Sequence, residues 1–329
     1  DGQALLDLAA DRSFVFVSVD NLGKVIHKED ALDLHIKAIL DLPFINTELI
    51  RSRKFKVAVD CINSTGALAL PPLLDALGCS YTLINKEVTG AFAHNPEPVA
   101  QNLLQLSAIV KDEKLDLGIA VDPDVDRLVF TCPSGELFGE EYTLVAAADF
   151  VLRHKKGATV SNLSSSRALR DVSHAKGVSY HAAAVGEVNV VATMKAVNAV
   201  IGGEGNGGVI LPDLHYGRDA MVGIALVLNL LAEDDIDLDQ LKSKYPQYQI
   251  IKSKVKLGHD TDIDAMINKL KKAYINDDFN ELDGLKIDFE DGWVHLRKSN
   301  TEPIIRIIAE SKTKEGAQAL IDDIKELLN

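Results

Sequence analysis

The segment Arg297-Lys298-Ser299-Asn300-Thr301-Glu302-Pro303, closed by Arg306, gathers two guanidiniums, two hydroxyls and an amide. Guanidinium is planar and offers paired N–H donors, the geometry that grips two phosphate oxygens at once. Apolar residues bracket the segment, Trp293 to Leu296 before and Ile304 to Ile308 after. The pattern reads as strand, tight loop, strand, with backbone N–H groups free to face a ligand; a solvated hairpin with incidental charges is the alternative. A second cluster, Asp122-Pro123-Asp124-Val125-Asp126-Arg127, follows the apolar run ending at Val121. Alternate residues of extended backbone point the same way, so Asp122, Asp124 and Asp126 can converge. Three crowded carboxylates repel unless a cation sits among them, and oxygen-only ligands favour a hard ion such as Mg²⁺. A calcium-binding EF-hand would need Gly where Arg127 stands and Glu where Pro133 stands. A solvated acidic turn is the alternative here. The third cluster is Gly202-Gly203-Glu204-Gly205-Asn206-Gly207-Gly208. Each glycine costs folding entropy, so the run reads as backbone kept bare for close approach to a ligand and not as packing. Glu204 and Asn206 within it suit sugar hydroxyls. A flexible turn is the alternative. Neither a Walker loop nor a dinucleotide fingerprint fits this spacing.

These clusters need a scaffold, and the hydrophobic pattern supplies one. Strands are predicted at Lys56 to Val59, Tyr81 to Ile84 and Leu117 to Val121, with helices at Gly66 to Leu77 and across Leu103, Leu106, Ile109 and Val110. Near-continuous apolar strands alternating with helices imply a mostly parallel sheet covered on both faces. The pattern then recurs without repeating the sequence. Strands are expected at Thr159 to Leu163, Ser179 to Ala183 and Val200-Ile201, with a long apolar helix at Ala220 to Ala232. Glu233-Asp234-Asp235 reads as an acidic helix start or a surface loop. After Pro246 a strand at Ile250 to Leu257, a helix at Ile263 to Ala273, the two strands flanking the Arg-rich loop and a closing amphipathic helix form a smaller α+β domain. The expected organisation is therefore residues 1–29 as tail and linker, 30–137 as an α/β domain with the metal loop, 138–249 as an α/β domain with the sugar loop, and 250–329 as the α+β domain. Ligand crevices of such sheets lie at the carboxyl ends of the strands, where Asp122 stands.

Composition sets the outer limits. The 329 residues are 47% hydrophobic and 26% charged, as in soluble globular proteins, with a formal charge of -14. That balance argues against nucleic acid, and no apolar run reaches the length of a membrane span. An anionic ligand must therefore be drawn in by local basic loops. Cys61, Cys79 and Cys132 are odd in number and lack metal spacing, which reads as buried free thiols in a reducing, cytoplasmic compartment. The start at Asp1-Gly2-Gln3 reads as the interior of a longer chain.

Taken together, the three clusters resemble the motifs of the α-D-phosphohexomutase family, which includes phosphoglucomutase, phosphomannomutase and phosphoglucosamine mutase. Asp122, Asp124, Asp126 and Arg127 match its metal loop D-x-D-x-D-R in full. Gly203, Glu204, Gly207 and Gly208 match its sugar loop, with Asn206 where Ser is usual. Arg297, Ser299, Thr301, Glu302, Pro303 and Arg306 match its phosphate loop R-x-S-x-T-E-P-x-x-R, with Asn300 between. The resemblance extends over the chain from about Ala31, and the Val185-Gly186-Glu187-Val188-Asn189 and Gly-Glu-Gly-Asn-Gly-Gly forms point to the archaeal-type phosphoglucosamine mutase branch.

The resemblance implies four domains around a cleft, of which this chain carries the second to fourth. It also implies phosphate exchange between C1 and C6 of a hexose through an enzyme phosphoserine and a hexose 1,6-bisphosphate, with glucosamine, mannose or glucose phosphate as substrate. Mg²⁺ would be held by Asp122, Asp124 and Asp126, with Arg127 in support. Glu204, Asn206 and Arg218 would meet the sugar, and Arg297, Ser299, Asn300, Thr301 and Arg306 the phosphate that does not react. The serine loop T-A-S-H-N-P has no counterpart: Ala93-His94-Asn95-Pro96 carries Ala in its place. No nucleophile is therefore assigned, and the chain alone is expected to be inactive. Val188 and Asn189 occupy the position where the family carries a basic residue. A hinge near Tyr245 to Ile250 would open the cleft for the intermediate to turn.

Lesser candidates have plainer roles. Asp219 is expected to cap the helix from Ala220. Ser164-Ser165-Ser166 would cap the next helix, with reach into the cleft a second role for Arg167, and Asn63-Ser64-Thr65 would be a loop and cap. His215 and Tyr216 carry no special role. Two rival functions are weighed. A Mg-dependent sugar phosphatase leaves the Arg297 to Arg306 loop unexplained, and a non-catalytic phosphosugar-binding protein needs no serine.

Overall fold

The computed structural model describes residues 2–256, 263–298 and 302–328. The chain divides into two units, Asp1–His35 and Ile36–Asn329. The first holds helix α1 (Gly2–Asp11), and its large apolar side chains, among them Leu5, Phe14, Phe16 and Ile26, are exposed. Helices α2 (Ala31–Leu40) and α3 (Thr47–Arg53) precede the first sheet in sequence.

That sheet consists of β1 (Lys56–Asp60), β2 (Ser80–Ile84), β3 (Leu117–Val121) and β4 (Leu128–Thr131), in the order β2-β1-β3-β4. Strand β1 runs parallel to both neighbours and β4 antiparallel to β3. Every residue of β3 is buried, as its unbroken apolar sequence requires. Helices α4 (Gly66–Ala76) and α5 (Leu104–Asp112) accompany it. Pro71 and Pro72 each remove a helical N–H from α4, yet the buried Leu70, Leu73 and Leu74 hold that helix in place.

The second sheet repeats the topology. Strands β5 (Thr159–Asn162), β6 (Tyr180–Ala183), β7 (Ile201–Glu204) and β8 (Gly208–Ile210) lie in the order β6-β5-β7-β8, parallel except for β8. Helices α6 (Glu140–His154), α7 (Ala168–Ala175), α8 (Glu187–Val197), α9 (Ala220–Asp234) and α10 (Leu238–Lys244) surround it. Every residue of α9 from Ala220 to Ala232 is buried, which is what a helix apolar on all sides demands. The third sheet is antiparallel throughout, in the order β10-β11-β12-β13-β9. Its strands are β9 (Gln249–Lys256), β10 (Asp278–Asn280), β11 (Leu285–Asp288), β12 (Gly292–Lys298) and β13 (Ile304–Ser311). Alternation along them sends Leu285, Ile287, Val294, Leu296, Ile305 and Ile307 into a core shared with α11 (Ile263–Ala273) and α12 (Lys314–Leu328).

The α/β class, its parallel-rich sheets and the smaller antiparallel domain match the expectation from sequence. Three local readings change. The edge strands β4, β8 and β10, and β11 beside β10, are too short to carry a period of their own. The run from Gly202 is strand and turn and not open loop, because β7 extends through Glu204 and β8 starts at Gly208. Glu233 and Asp234 end α9 instead of starting a helix. Acids at a helix C-terminus oppose its dipole, and the structure offsets this with bonds to Asp234 from Arg153 (2.6 Å) and Lys244 (3.0 Å) and with an Arg53–Asp235 ion pair.

Candidate active site

The acidic turn leaves β3 at its carboxyl end. Asp122 is buried and organises it: one carboxylate oxygen accepts the N–H groups of Asp126 and Arg127 at 3.1 Å, and the other accepts Arg127 Nε at 2.6 Å. Val125 adopts φ +62°, a left-handed conformation that β-branched residues avoid, and this folds the turn back on itself. One oxygen each from Asp122, Asp124 and Asp126 lies within 4.8 Å of the others. The turn is backed by Ser64 Oγ, which donates to the Pro123 carbonyl at 2.8 Å, and by the Thr65 hydroxyl, which donates to the same atom. These hydroxyls were expected to cap α4; they brace the acidic turn instead.

Burial and charge crowding move the two carboxyls of the turn apart. Burial, then the adjacent Asp122 carboxylate, pushes Asp126 up to about 7. Burial acts on Asp122 in the same direction, but hydrogen bonds from Asp126 and Arg127 outweigh it and hold Asp122 below the ordinary carboxylate range. Asp126 Oδ1 is buried without a hydrogen-bond partner. An orphaned carboxylate oxygen beside two more carboxylates, with oxygen the only donor atom on offer, fits a hard divalent cation.

The glycine-rich segment forms the β7–β8 hairpin. Its glycines turn out to serve packing, contrary to the reading from sequence. A Cβ on Gly207 (φ +93°) would strike the carbonyl of Leu128, and one on Gly205 would run into the Glu141 carboxylate. Glu204 is buried and engaged on both oxygens, by Asn162 Nδ2 at 2.9 Å and Gly186 N–H at 3.1 Å on one, and by Arg218 Nη1 at 2.8 Å on the other. Asn206 Oδ1 accepts from Gly208 N–H at 3.2 Å. Arg218 also pairs with Asp126, so one guanidinium bridges the acidic turn and the glycine hairpin. Asp219 caps α9 as expected, accepting from Met221 and Val222 N–H.

On the third sheet Arg297 and Arg306 face each other across β12 and β13, and Lys254 is the next partner in register. Arg297 is partly neutralised by Asp283 at 2.7 Å. Like charges opposed across a ladder destabilise it, and an anion between them would reverse that. Ser299, Asn300 and Thr301 lie outside the described residues.

A cavity of about 360 Å³ joins the glycine hairpin to the third sheet, lined by Glu204 and Asn206 from the first and by Arg297 and Arg306 from the second. Glu97, Glu141, Asn162, Ser164, Lys252 and His295 also line it; of these only Ser164 was singled out from sequence, and as a helix cap. Lys252 was legible in principle, because alternation along β9 places it on the Arg306 side. His295 was not: Nε2 donates to the Asp283 carbonyl at 2.6 Å and Nδ1 accepts from Ser164 at 2.9 Å, partners far apart in sequence. Burial depresses it to about 4. The acidic turn does not line this cavity itself. Arg127 borders a small adjoining one with Asn206, Lys252 and Glu97. Arg167 is buried away from the cleft, its guanidinium donating to the carbonyls of Phe289 and Glu290. Val188 is exposed, and Asn189 turns its amide back to the Val185 carbonyl at 3.0 Å.

Known proteins share this domain organisation. Family models described as phosphoglucomutase/phosphomannomutase α/β/α domain II, α/β/α domain III and C-terminal domain match residues 33–135, 139–248 and 250–327. The chain belongs to the phosphoglucomutase/phosphomannomutase family. Members of that family are isomerases of the phosphohexomutase type. A probable phosphoglucosamine mutase of Methanopyrus kandleri is 32% identical over 97% of this chain and 70% of its own length. A phosphoglucomutase/phosphomannomutase of Thermococcus kodakarensis is 37% identical over 90% of this chain and 65% of its own length. The chain thus spans about two thirds of these relatives. In fold it is similar to the crystal structure of a phosphoglucomutase/phosphomannomutase family protein from Burkholderia thailandensis, with TM-score 0.83 and 24% identity, covering 99% of this chain and 69% of that one. Among the described residues no helix is long and apolar enough to cross a membrane.

Proposed function

We propose that this chain supplies the metal, sugar and phosphate sites of a phosphohexomutase that interconverts hexose 1-phosphate and hexose 6-phosphate. The observation that carries this reading is the single cavity shared by Glu204 and Asn206 with Arg297 and Arg306, tied to the acidic turn through Arg218. A hexose phosphate has hydroxyls to meet the first pair and an anionic end to meet the second. The substrates in this reading are glucosamine, mannose or glucose phosphates, with a hexose 1,6-bisphosphate as intermediate, and a cytoplasmic setting suits them. The functional domains are residues 30–137, 138–249 and 250–329, after a linker at 1–29.

Asp122, Asp124 and Asp126 would hold Mg²⁺, which when bound neutralises charge on the transferring phosphoryl group. Arg127 fixes Asp122, and Arg218 holds Asp126 and Glu204 at a constant separation. Arg297 and Arg306 clamp the phosphate that does not react, so that the sugar presents its other end. The phosphoryl donor in this reading is a phosphoserine that matches no motif of these 329 residues. The test is turnover of glucose, mannose and glucosamine phosphates by the full-length protein, with intact mass to look for a phosphoserine. A protein that turns over none of them, or does so without any phosphorylated serine, ends this reading.

A further inference from the structure

Three carboxylates line the cavity, and they differ in what balances them. Glu204 is paired with Arg218 at 2.8 Å. Glu97 sits at the exposed rim. Glu141, in the first turn of α6, faces the same space and accepts one hydrogen bond, from Ser166 N–H at 2.7 Å. No described basic side chain forms an ion pair with it. The basic groups of the cavity are Lys252, Arg297 and Arg306, all on the third sheet. The cavity is therefore bipolar, cationic along that sheet and anionic where α6 meets the glycine hairpin. Gly205 leaves room at this point, since a Cβ there would occupy the place of the Glu141 carboxylate.

We infer that Glu141 is a specificity residue that reads a protonated amine on the sugar, so that the cavity selects a hexosamine phosphate with a free ammonium group over its neutral hexose counterpart. This rests on the phosphosugar reading above and narrows its substrate class. A phosphate and an ammonium on one ring match the two ends of the cavity, whereas a hydroxyl leaves the carboxylate without a counter-charge. Burial, then the nearby Glu310 and Glu140 carboxylates, raise Glu141 well above the ordinary range, with Lys252 and the Ser166 N–H only partly offsetting them. An ammonium placed beside it would remove that penalty. An N-acetyl group, being uncharged, would not.

Calorimetric titration of the full-length protein with glucosamine 6-phosphate, glucose 6-phosphate and N-acetylglucosamine 6-phosphate tests this. The amine is expected to bind about tenfold or more tightly than either other sugar, the scale of a hydrogen bond to a charged group. Glu141→Gln should collapse that ratio and Glu141→Asp should retain part of it. A purely structural role would weaken all three ligands together and leave the ratio intact, which would overturn the inference. Equal affinities in the unaltered protein would overturn it too, with the phosphosugar reading still standing. If no sugar phosphate binds at all, the phosphosugar reading fails first. The three-ligand comparison in the unaltered protein decides the matter even where a variant does not fold.

Discussion

The turns that leave β3 and β7 occupy the same place in two sheets of the same topology, and they share almost no chemistry. Each follows the third strand, turns at a residue with positive φ, and leads into an antiparallel edge strand. At Val125 that residue is β-branched and strained; at Gly207 it is not. The first turn gathers carboxylates that repel one another, and the second gathers bare backbone. The fold therefore fixes where a ligand can be met, and the side chains decide which ligand. The two turns are also one object. Leu128 N–H donates to the Gly207 carbonyl at 3.0 Å, Ala220 N–H donates to the Val125 carbonyl at 3.1 Å, and Arg218 spans Asp126 and Glu204.

Removing that bridge should have the largest effect. Arg218→Met leaves Asp126 and Glu204 without their shared cation, and breaking a half-buried ion pair from one side costs about 2–4 kcal/mol. Turnover should fall about a hundredfold, because the two turns lose their fixed spacing. Urea unfolding and steady-state rates measure the two losses. Unchanged stability would mean that the turns are held by their backbone bonds alone. Gly207→Ala attacks the same junction from the backbone. Its Cβ would meet the Leu128 carbonyl at a φ disfavoured for alanine, so stability should drop by about 2 kcal/mol. A drop below half that figure would show that β4 can move aside, and that the two turns are less tightly joined than Arg218 suggests.

The two turns also differ in how far they were legible from sequence. The acidic turn was readable because its logic is local: three carboxylates within five residues of an apolar strand do come together, although the left-handed Val125, and not the extended backbone expected from sequence, is what folds them onto one another. What holds it was not readable. Arg218 lies 92 positions from Asp126, and Ser64 lies 59 from the Pro123 carbonyl that it braces. The glycine hairpin was located correctly but given the wrong reason, because the atoms crowding Gly205 and Gly207 belong to Glu141 and Leu128, on other elements. Parallel strands announced themselves by unbroken apolar runs. The short edge strands did not, since three or four residues beside a turn carry no period. Glu141 was invisible for a further reason: an acid in the first turn of a helix is fully accounted for by the helix dipole.

The junction between the second and third sheets should respond to pH through a side chain that belongs to neither turn. His295 is buried and neutral, with a folded value of about 4 against an ordinary 6.5. The unfolded chain binds a proton as pH falls through 6.5 and the folded protein does not, so this contribution to stability is present above 6.5 and drains away toward 4. The loss over that window is on the order of 2–3 kcal/mol. His295→Gln should flatten urea midpoints between pH 7 and 4.5 relative to the unaltered protein. An equal slope in both would place the acid sensitivity elsewhere.

The smallest effect concerns the opposed pair of arginines, and it contrasts with the acidic turn in sign of charge. There carboxylates gather, with Arg127 and Arg218 as their partners; here Arg297 and Arg306 oppose each other, with Asp283 against Arg297. Arg306 is exposed, so solvent screens the repulsion to a few tenths of a kcal/mol. Arg306→Gln should therefore leave the ligand-free protein as stable as before or slightly more so. Inorganic phosphate should raise the melting temperature of the unaltered protein, by an amount that grows with its concentration, and should do much less for the variant. A variant that melts lower without phosphate and gains equally from it would show that Arg306 packs against the sheet through its methylenes, leaving the anion to Arg297 and the β9 lysines.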